Sequence, residues 1–177
     1  MKKGFNGKLG VLLDLGCGAN KQPNFVGMDK RKLPGVDIVH DLERFPYPLK
    51  KESVLTTVCS HVLEHMKPWL TLDIFDEVWR VTKPEGQFVI SLPYSGSHGF
   101  WQDPTHCNGF NEDTFLYFDP RPSRLGWGEE KKDGRWVVKK EGQFNVLYDI
   151  YKPKPWRILH CYWQSNGNME IAMEKRR

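Results

Sequence analysis

Asp14, Asp29 and Asp41 each stand at or beside the end of a short apolar run, and an ionised carboxylate there can accept two hydrogen bonds from a ligand. Asp14 closes Val11-Leu12-Leu13 and is followed by Gly16-Cys17-Gly18. Two glycines one residue apart let the backbone turn sharply and present its N–H groups with no Cβ in the way. Asp29 follows Val26-Gly27-Met28 and is placed to accept both hydroxyls of a ribose. Asp41 precedes Leu42, so the carboxylate can accept from the exocyclic amine of an adenine while the leucine packs on the ring. The three together read as the grip of a nucleotide-like ligand.

The histidines offer a second chemistry. Imidazole titrates near neutral pH and is the side chain best poised as a general base. His106 and His98, in the loop after a predicted strand, are the first candidates, with His61 behind them. His61-Val62-Leu63-Glu64-His65 also matches His-x-x-Glu-His, the inverted zinc-peptidase pattern, which on a helix puts both histidines on one face with Glu64 as base. Here the pattern follows a buried strand inside a complete nucleoside-binding series, so a place on the cleft rim is the better reading. His98, Asp103 and His106 form a second conceivable ligand set. No metal is expected, and a zinc peptidase through His61, Glu64 and His65 stays only a remote alternative. Cys17 reads as a small buried residue, since nothing marks a base for it.

These residues need a scaffold that brings strand ends together. Apolar runs at Leu9–Leu15, Phe25–Asp29, Val36–His40, Val54–Ser60 and Phe88–Leu92 predict five strands. An amphipathic helix over Trp69–Val81 carries Leu70, Ile74, Val78 and Val81 on one face, with Pro68 in its first turn and Lys83-Pro84-Glu85-Gly86 as its stop. Strand, helix, strand in that order implies a right-handed parallel crossover, and open sheets of this kind bind ligands at the strands' carboxyl ends. The first connections are too short for full helices, so one face of the sheet needs cover from the aromatic-rich second half or a partner chain. Tyr94–Gly109 reads as a functional loop whose aromatics argue against disorder. A short helix over Glu112–Phe118 follows, capped by Asn111. Asp119–Gly134 is an expected exposed excursion. Further strands are predicted at Trp136–Lys139, Phe144–Tyr151, Arg157–Trp163 and Met169–Met173, the last pair joined by a turn at Ser165-Asn166-Gly167-Asn168.

A dinucleotide site wants Gly-x-Gly-x-x-Gly opening a helix. The run Gly16-Cys17-Gly18-Ala19-Asn20-Lys21 lacks the third glycine, and the helix N-terminus that would hold a pyrophosphate is nearly absent. NAD and FAD are therefore disfavoured, and a cofactor without phosphate fits better. The series Leu13-Asp14-Leu15-Gly16-Cys17-Gly18, Gly27-Met28-Asp29, His40-Asp41-Leu42-Glu43-Arg44-Phe45-Pro46-Tyr47-Pro48 and Ser60-His61-Val62-Leu63-Glu64-His65 resembles the class I S-adenosylmethionine-dependent methyltransferases. Glu77-Val78-Trp79-Arg80-Val81-Thr82-Lys83-Pro84-Glu85-Gly86 resembles that family's step from helix to turn before the fifth strand, and the Arg157–Met173 hairpin resembles its antiparallel strand pair at the sheet edge. The resemblance implies that Asp14, Gly16 and Gly18 line the methionine moiety of S-adenosyl-L-methionine, that Asp29 holds the ribose and Asp41 with Leu42 the adenine, and that Ser60 and His61 border the methyl group. By its position, Lys21 is placed to pair with the cofactor's carboxylate. The span from Asp14 to Asp29 is shorter than the family's usual helix-containing loop.

Fold class is thus expected to be α/β: a Rossmann-like, mostly parallel, doubly wound sheet with an antiparallel C-terminal edge and reduced helical cover. The 177 residues read as one domain, with a cofactor-binding half over 1–93 and a substrate loop, excursion and strands over 94–177. No apolar run approaches the roughly 20 residues of a membrane span, and the basic N-terminus lacks the apolar core of a signal peptide. Four cysteines with no Cys-x-x-Cys pair suit reduced thiols in a cytoplasm. Net charge is +4, spread over small clusters that read as solvated surface. The expected activity is methyl transfer to an oxygen or nitrogen of a small molecule or glycan. Nucleic acid stays an alternative acceptor, and a non-catalytic cofactor-binding protein an alternative role.

Overall fold

The computed structural model describes residues 10–120, 129–132, 135–138 and 151–176. Five strands run parallel: β1 (Val11–Leu15), β2 (Val26–Asp29), β3 (Ile38–Val39), β4 (Val54–Ser60) and β5 (Thr82–Pro93). A separate two-stranded ribbon is formed by β6 (Glu129–Lys132) and β7 (Arg135–Val138). Two antiparallel strands, β8 (Trp156–Trp163) and β9 (Asn168–Lys175), complete a seven-stranded sheet of order β3-β2-β1-β4-β5-β9-β8. The expected mostly parallel sheet with an antiparallel edge is borne out. The chain steps outward from β1 to β3 and then returns to the other side of β1, so the order reverses between β1 and β4. Open α/β sheets bind ligands at such a switch point.

The pleat sorts side chains into two faces. Leu13, Thr57, Phe88 and Met173 lie in one register row, and Leu15, Cys59, Ile90 and Ile171 in the next. All eight are buried. The helix α1 (Thr71–Val81) buries Ile74, Phe75, Val78 and Val81, and α3 (Glu112–Leu116) buries Phe115 and Leu116. Phe75 is the joint between them. Its ring stacks on Phe118 at 4.0 Å, meets Phe88 edge-on at 5.4 Å and reaches Phe115 at 6.3 Å. On the opposite face Leu12, Thr56, Val58 and Val89 are only partly buried.

No described helix separates β1 from β2 or β2 from β3. On the face that α1 covers, the segment after β3 packs against these strands. Leu42 and Tyr47 join the buried cluster of Leu13, Leu15 and Met28. α1 holds this segment down. Glu77 accepts the Tyr47 backbone N–H at 2.6 Å and pairs with Arg80, whose guanidinium also donates to the Tyr47 and Leu49 carbonyls. Removing the carboxylate strands a buried N–H and loosens Arg80. Glu77→Ala is expected to lower unfolding free energy by about 2 kcal/mol. An unfolding free energy from urea titration within about 0.3 kcal/mol of wild type would contradict the clamp.

Several boundaries differ from expectation for local reasons. α1 begins at Thr71 because Pro68–Leu70 forms a tighter 3-10 turn, leaving Trp69 exposed. Lys83–Gly86 does turn, but inside β5: Thr82 pairs with Val54 and pairing resumes at Gln87 with Thr56. β3 is only two residues long. It is an edge strand, and Asp37 beside it spends its carboxylate on the Gly27 N–H and Lys21. Asp119 is not exposed. It is buried and accepts from the Ile158 N–H and from Arg176. Lys175, in one of the small basic clusters that read as solvated surface, is buried with Nζ 2.7 Å from the Thr82 carbonyl and 3.8 Å from the Trp79 ring centre. The strand expected over Phe144–Tyr151 lies outside the described residues up to 150, and Tyr151 itself is helical.

Candidate functional site

A cleft of about 290 Å³ opens where the parallel strands end. Its walls come from the turns after four strands: Gly16 after β1, Asp29 and Arg31 at β2, Asp41 and Leu42 after β3, His61 and His65 after β4. Gly16 is at φ +68°, and a Cβ there would lie 2.3 Å from Val62 Cγ2. The loop can therefore pass this close to the β4 turn only as glycine.

The structure brings Gly16, Asp29, Asp41, Leu42 and His61 of the sequence candidates to the cleft. Asp29 is buried at its floor. Burial opposes its charge, but hydrogen bonds from the Arg31 side chain, the Arg31 N–H and the Gly18 N–H overcome this and hold the carboxyl below the ordinary aspartate range. Asp41 accepts the Glu43 N–H at 3.1 Å, which fixes the turn that carries Leu42.

The other candidates sit around the cleft without lining it. Asp14 is buried and its Oδ2 accepts the Gln22 N–H at 2.8 Å. Burial pushes its carboxyl up, against that hydrogen bond and the nearby Lys21. The N–H groups of the glycine loop are not free as expected. Those of Gly16 and Cys17 go to the Met28 carbonyl, and that of Gly18 to Asp29. Lys21 pairs with Asp37 at 2.6 Å. Ser60 ends β4, outside the cleft lining. His98 opens the short helix α2 (His98–Trp101), also away from the lining.

His61 has a backbone that non-glycine residues seldom adopt, φ +53°, at the point where β4 meets the cleft. That conformation and the 3-10 turn over Leu63–His65 break the α-helix that the zinc-peptidase pattern would need. His61 Nδ1 lies 3.2 Å from Glu64 Oε1, and its Nε2 lies 3.2 Å from Asn168 Nδ2 on β9. The Glu64 carboxylate raises the imidazole above its ordinary value, against the effect of burial. His106 is held behind the wall, its Nδ1 2.7 Å from the Phe100 carbonyl and its ring 4.7 Å from that of His65. The loop after β5 docks here: the N–H groups of Cys107 and Asn108 both donate to the Glu64 carbonyl.

Sequence reasoning missed Lys30, Arg31 and Met66 as cleft residues. Arg31 sat in a basic run that reads as surface. Its proximity to Asp29 (two positions past a strand-end carboxylate) was the available signal.

The chain has recognisable relatives. Residues 17–90 match the family described as a methyltransferase domain. No curated protein sequence matches. Among solved structures, an S-adenosylmethionine-dependent methyltransferase from Archaeoglobus fulgidus is 16% identical with TM-score 0.56, over 93% of this chain and 85% of that one. A 1,6-didemethyltoxoflavin-N1-methyltransferase from Burkholderia thailandensis, with bound 1,6-didemethyltoxoflavin and S-adenosylhomocysteine, is 11% identical with TM-score 0.58, over 97% of this chain and 73% of that one. A putative S-adenosylmethionine-dependent methyltransferase from Listeria monocytogenes is 16% identical with TM-score 0.51, over 100% and 95%. At these identities the structural likeness speaks for the fold, while the matched family covers the strand ends that build the cleft. Residues 17–90 thus match a methyltransferase domain, carried on the fold of solved S-adenosylmethionine-dependent methyltransferases.

Proposed function

We propose that the cleft binds S-adenosyl-L-methionine and that the protein transfers its methyl group to an oxygen or nitrogen nucleophile of a small molecule or glycan. The observation that carries this reading is the convergence of Asp29, Asp41, Leu42 and Gly16 on one cleft at the switch point of the sheet. In this reading Asp29 takes the ribose hydroxyls, and the Arg31 side chain, 61% exposed, swings aside to let them in. Asp41 and Leu42 hold the adenine. Gly16 and Gly18, with Asp14 beneath them, shape the end that receives the methionine moiety.

The sulfonium is already reactive, so the protein's main task is to align donor and acceptor. Of the three histidines considered as base, His61 is the one on the cleft wall. An acceptor hydroxyl or amine takes the place of Asn168 at Nε2 and gives up its proton there. His106 supports this wall from behind through His65. His98, exposed at the start of α2, is the weaker candidate. The four cysteines are free, which supports a cytoplasmic location. No helix among the described residues is long and apolar enough to cross a membrane. A small-molecule or glycan acceptor is favoured over nucleic acid because the basic residues fall in small clusters scattered along the sequence. The toxoflavin-type methyltransferase of the same fold acts on a small molecule.

Methyl transfer from radiolabelled S-adenosylmethionine to panels of hydroxylated and amino small molecules, glycans and RNA tests the acceptor class. With an acceptor found, His61→Ala is expected to lower turnover about tenfold, the low end for general bases because the donor needs no activation. Affinity for S-adenosylhomocysteine should stay within about twofold. Unchanged turnover would remove His61 from the base role, and RNA as the best acceptor would overturn the small-molecule assignment.

A further inference from the structure

Glu64, His65 and His106 form a cluster that methyl transfer does not require. A carboxylate oxygen of Glu64 and one ring nitrogen from each histidine lie within 4.8 Å of one another. Glu64 is fully buried, and neither of its oxygens receives an aligned hydrogen bond. His61 approaches Oε1 at ion-pair distance only. Buried carboxylates are otherwise paired, hydrogen-bonded or bound to metal, because an uncompensated one is costly.

The surrounding hydrogen bonds fix the proton on each imidazole. The Thr105 hydroxyl donates to Asp103 Oδ1 at 2.7 Å, so toward His65 Nδ1, 3.0 Å away, it can only accept. His65 therefore carries its proton on Nδ1. The Phe100 carbonyl also only accepts, so His106 carries its proton on Nδ1 as well. Both Nε2 atoms are left with a lone pair. Outer hydrogen bonds of this kind, from the non-ligating nitrogen to a carbonyl or a polar side chain, orient metal-binding histidines. Asp103 Oδ2, 3.8 Å from His106 Nε2, is a further carboxylate at the rim of the group.

We propose that Glu64, His65 and His106 bind one divalent transition-metal ion, with Zn²⁺ the first choice. Two imidazoles and a carboxylate are a recurrent zinc donor set that leaves a fourth position open. Metal–ligand bonds of about 2.0–2.2 Å require the three donors to draw together by roughly 1 Å, a movement that side-chain rotation supplies. The ion ties the loop after β5, which carries His106, to the turn after β4, which carries Glu64 and His65. Because His65 also lines the cleft, the ion stiffens the wall that faces the methyl acceptor. The site does not depend on the methyl-transfer reading.

The test uses the whole protein, stripped with chelator and titrated with Co²⁺ and with Zn²⁺, with bound metal counted after dialysis. One equivalent of tightly held Zn²⁺ is expected, and Co²⁺ should give visible absorption bands that Zn²⁺ displaces. His106→Gln should weaken binding at least a hundredfold. Thr105→Val, which removes the hydroxyl between His65 Nδ1 and Asp103 but none of the three proposed donors, should weaken it about tenfold. Circular dichroism checks that each variant is folded; should His106→Gln unfold, the wild-type spectrum and Thr105→Val decide. Substoichiometric metal in wild type, absent Co²⁺ bands, or binding that survives the decisive substitutions would overturn the proposal. Calorimetry with S-adenosylhomocysteine on the same samples reads the cofactor site separately, so the two readings can fail independently.

Discussion

Asp29→Ala is expected to weaken S-adenosylhomocysteine binding at least a hundredfold. A hydrogen bond to a charged group contributes about 1.5–3 kcal/mol, and the carboxylate is assigned both ribose hydroxyls. Loss of roughly 3 kcal/mol corresponds to a factor above a hundred. Arg31 sharpens the expectation. Its guanidinium lies 3.1 Å from Asp29 Oδ1, so the ligand must exchange places with it. In the Ala variant that positive charge is left beside the nucleoside with nothing to neutralise it. Asp29 also accepts the Gly18 N–H, which couples the carboxylate to the glycine loop. Asp29→Asn keeps the shape and one acceptor, and should lose only about tenfold. Equal binding by wild type and Asp29→Ala would put the nucleoside elsewhere.

Phe75→Ala should be the most destabilising single truncation of the core. The ring is completely buried and touches three other aromatic rings, one on β5 and two from the α3 region. Removing a buried phenylalanine costs about 3–5 kcal/mol in transfer and cavity terms, and the lost ring pairs add to this. An unfolding free energy lower by about 4 kcal/mol, and a midpoint temperature lower by roughly 10 °C, are expected for a chain of this size. The two sides of the cavity belong to different elements, so they cannot close on it without moving α1. A loss below about 1.5 kcal/mol would mean that α1 is not the keystone of this face.

How far the sequence carried these conclusions varied with the kind of signal. β4 has the bounds its apolar run predicts, because both of its neighbours are strands and packing agrees with propensity. Asn111 caps α3 as its chemistry dictates, with Thr114 completing a reciprocal pair of hydrogen bonds. Gly167 turns the β8–β9 hairpin at φ +87°. Each of these is a local preference that tertiary structure had no reason to override.

What was not legible was masked by its sequence context or depended on distant partners. The pairing of Asp29 with Arg31 hides in a run of basic residues, and the burial of Lys175 follows from Trp79 and Thr82, far away in sequence. That β3 is an edge strand appears only with the sheet order. The cleft residues His61, Asp29, Asp41 and Leu42 were legible because each follows a strand in the order a nucleoside site needs. The withdrawal of His106 behind His65 was not, since it depends on how the loop after β5 docks on the Glu64 carbonyl.

Calorimetric titration of the wild-type protein with S-adenosylhomocysteine and, in parallel, with NAD tests the central assignment most directly. The account predicts one S-adenosylhomocysteine site per chain with affinity near the micromolar range, about −8 kcal/mol, and no heat of binding from NAD. Saturation by NAD, or no binding of S-adenosylhomocysteine by folded protein, would contradict it.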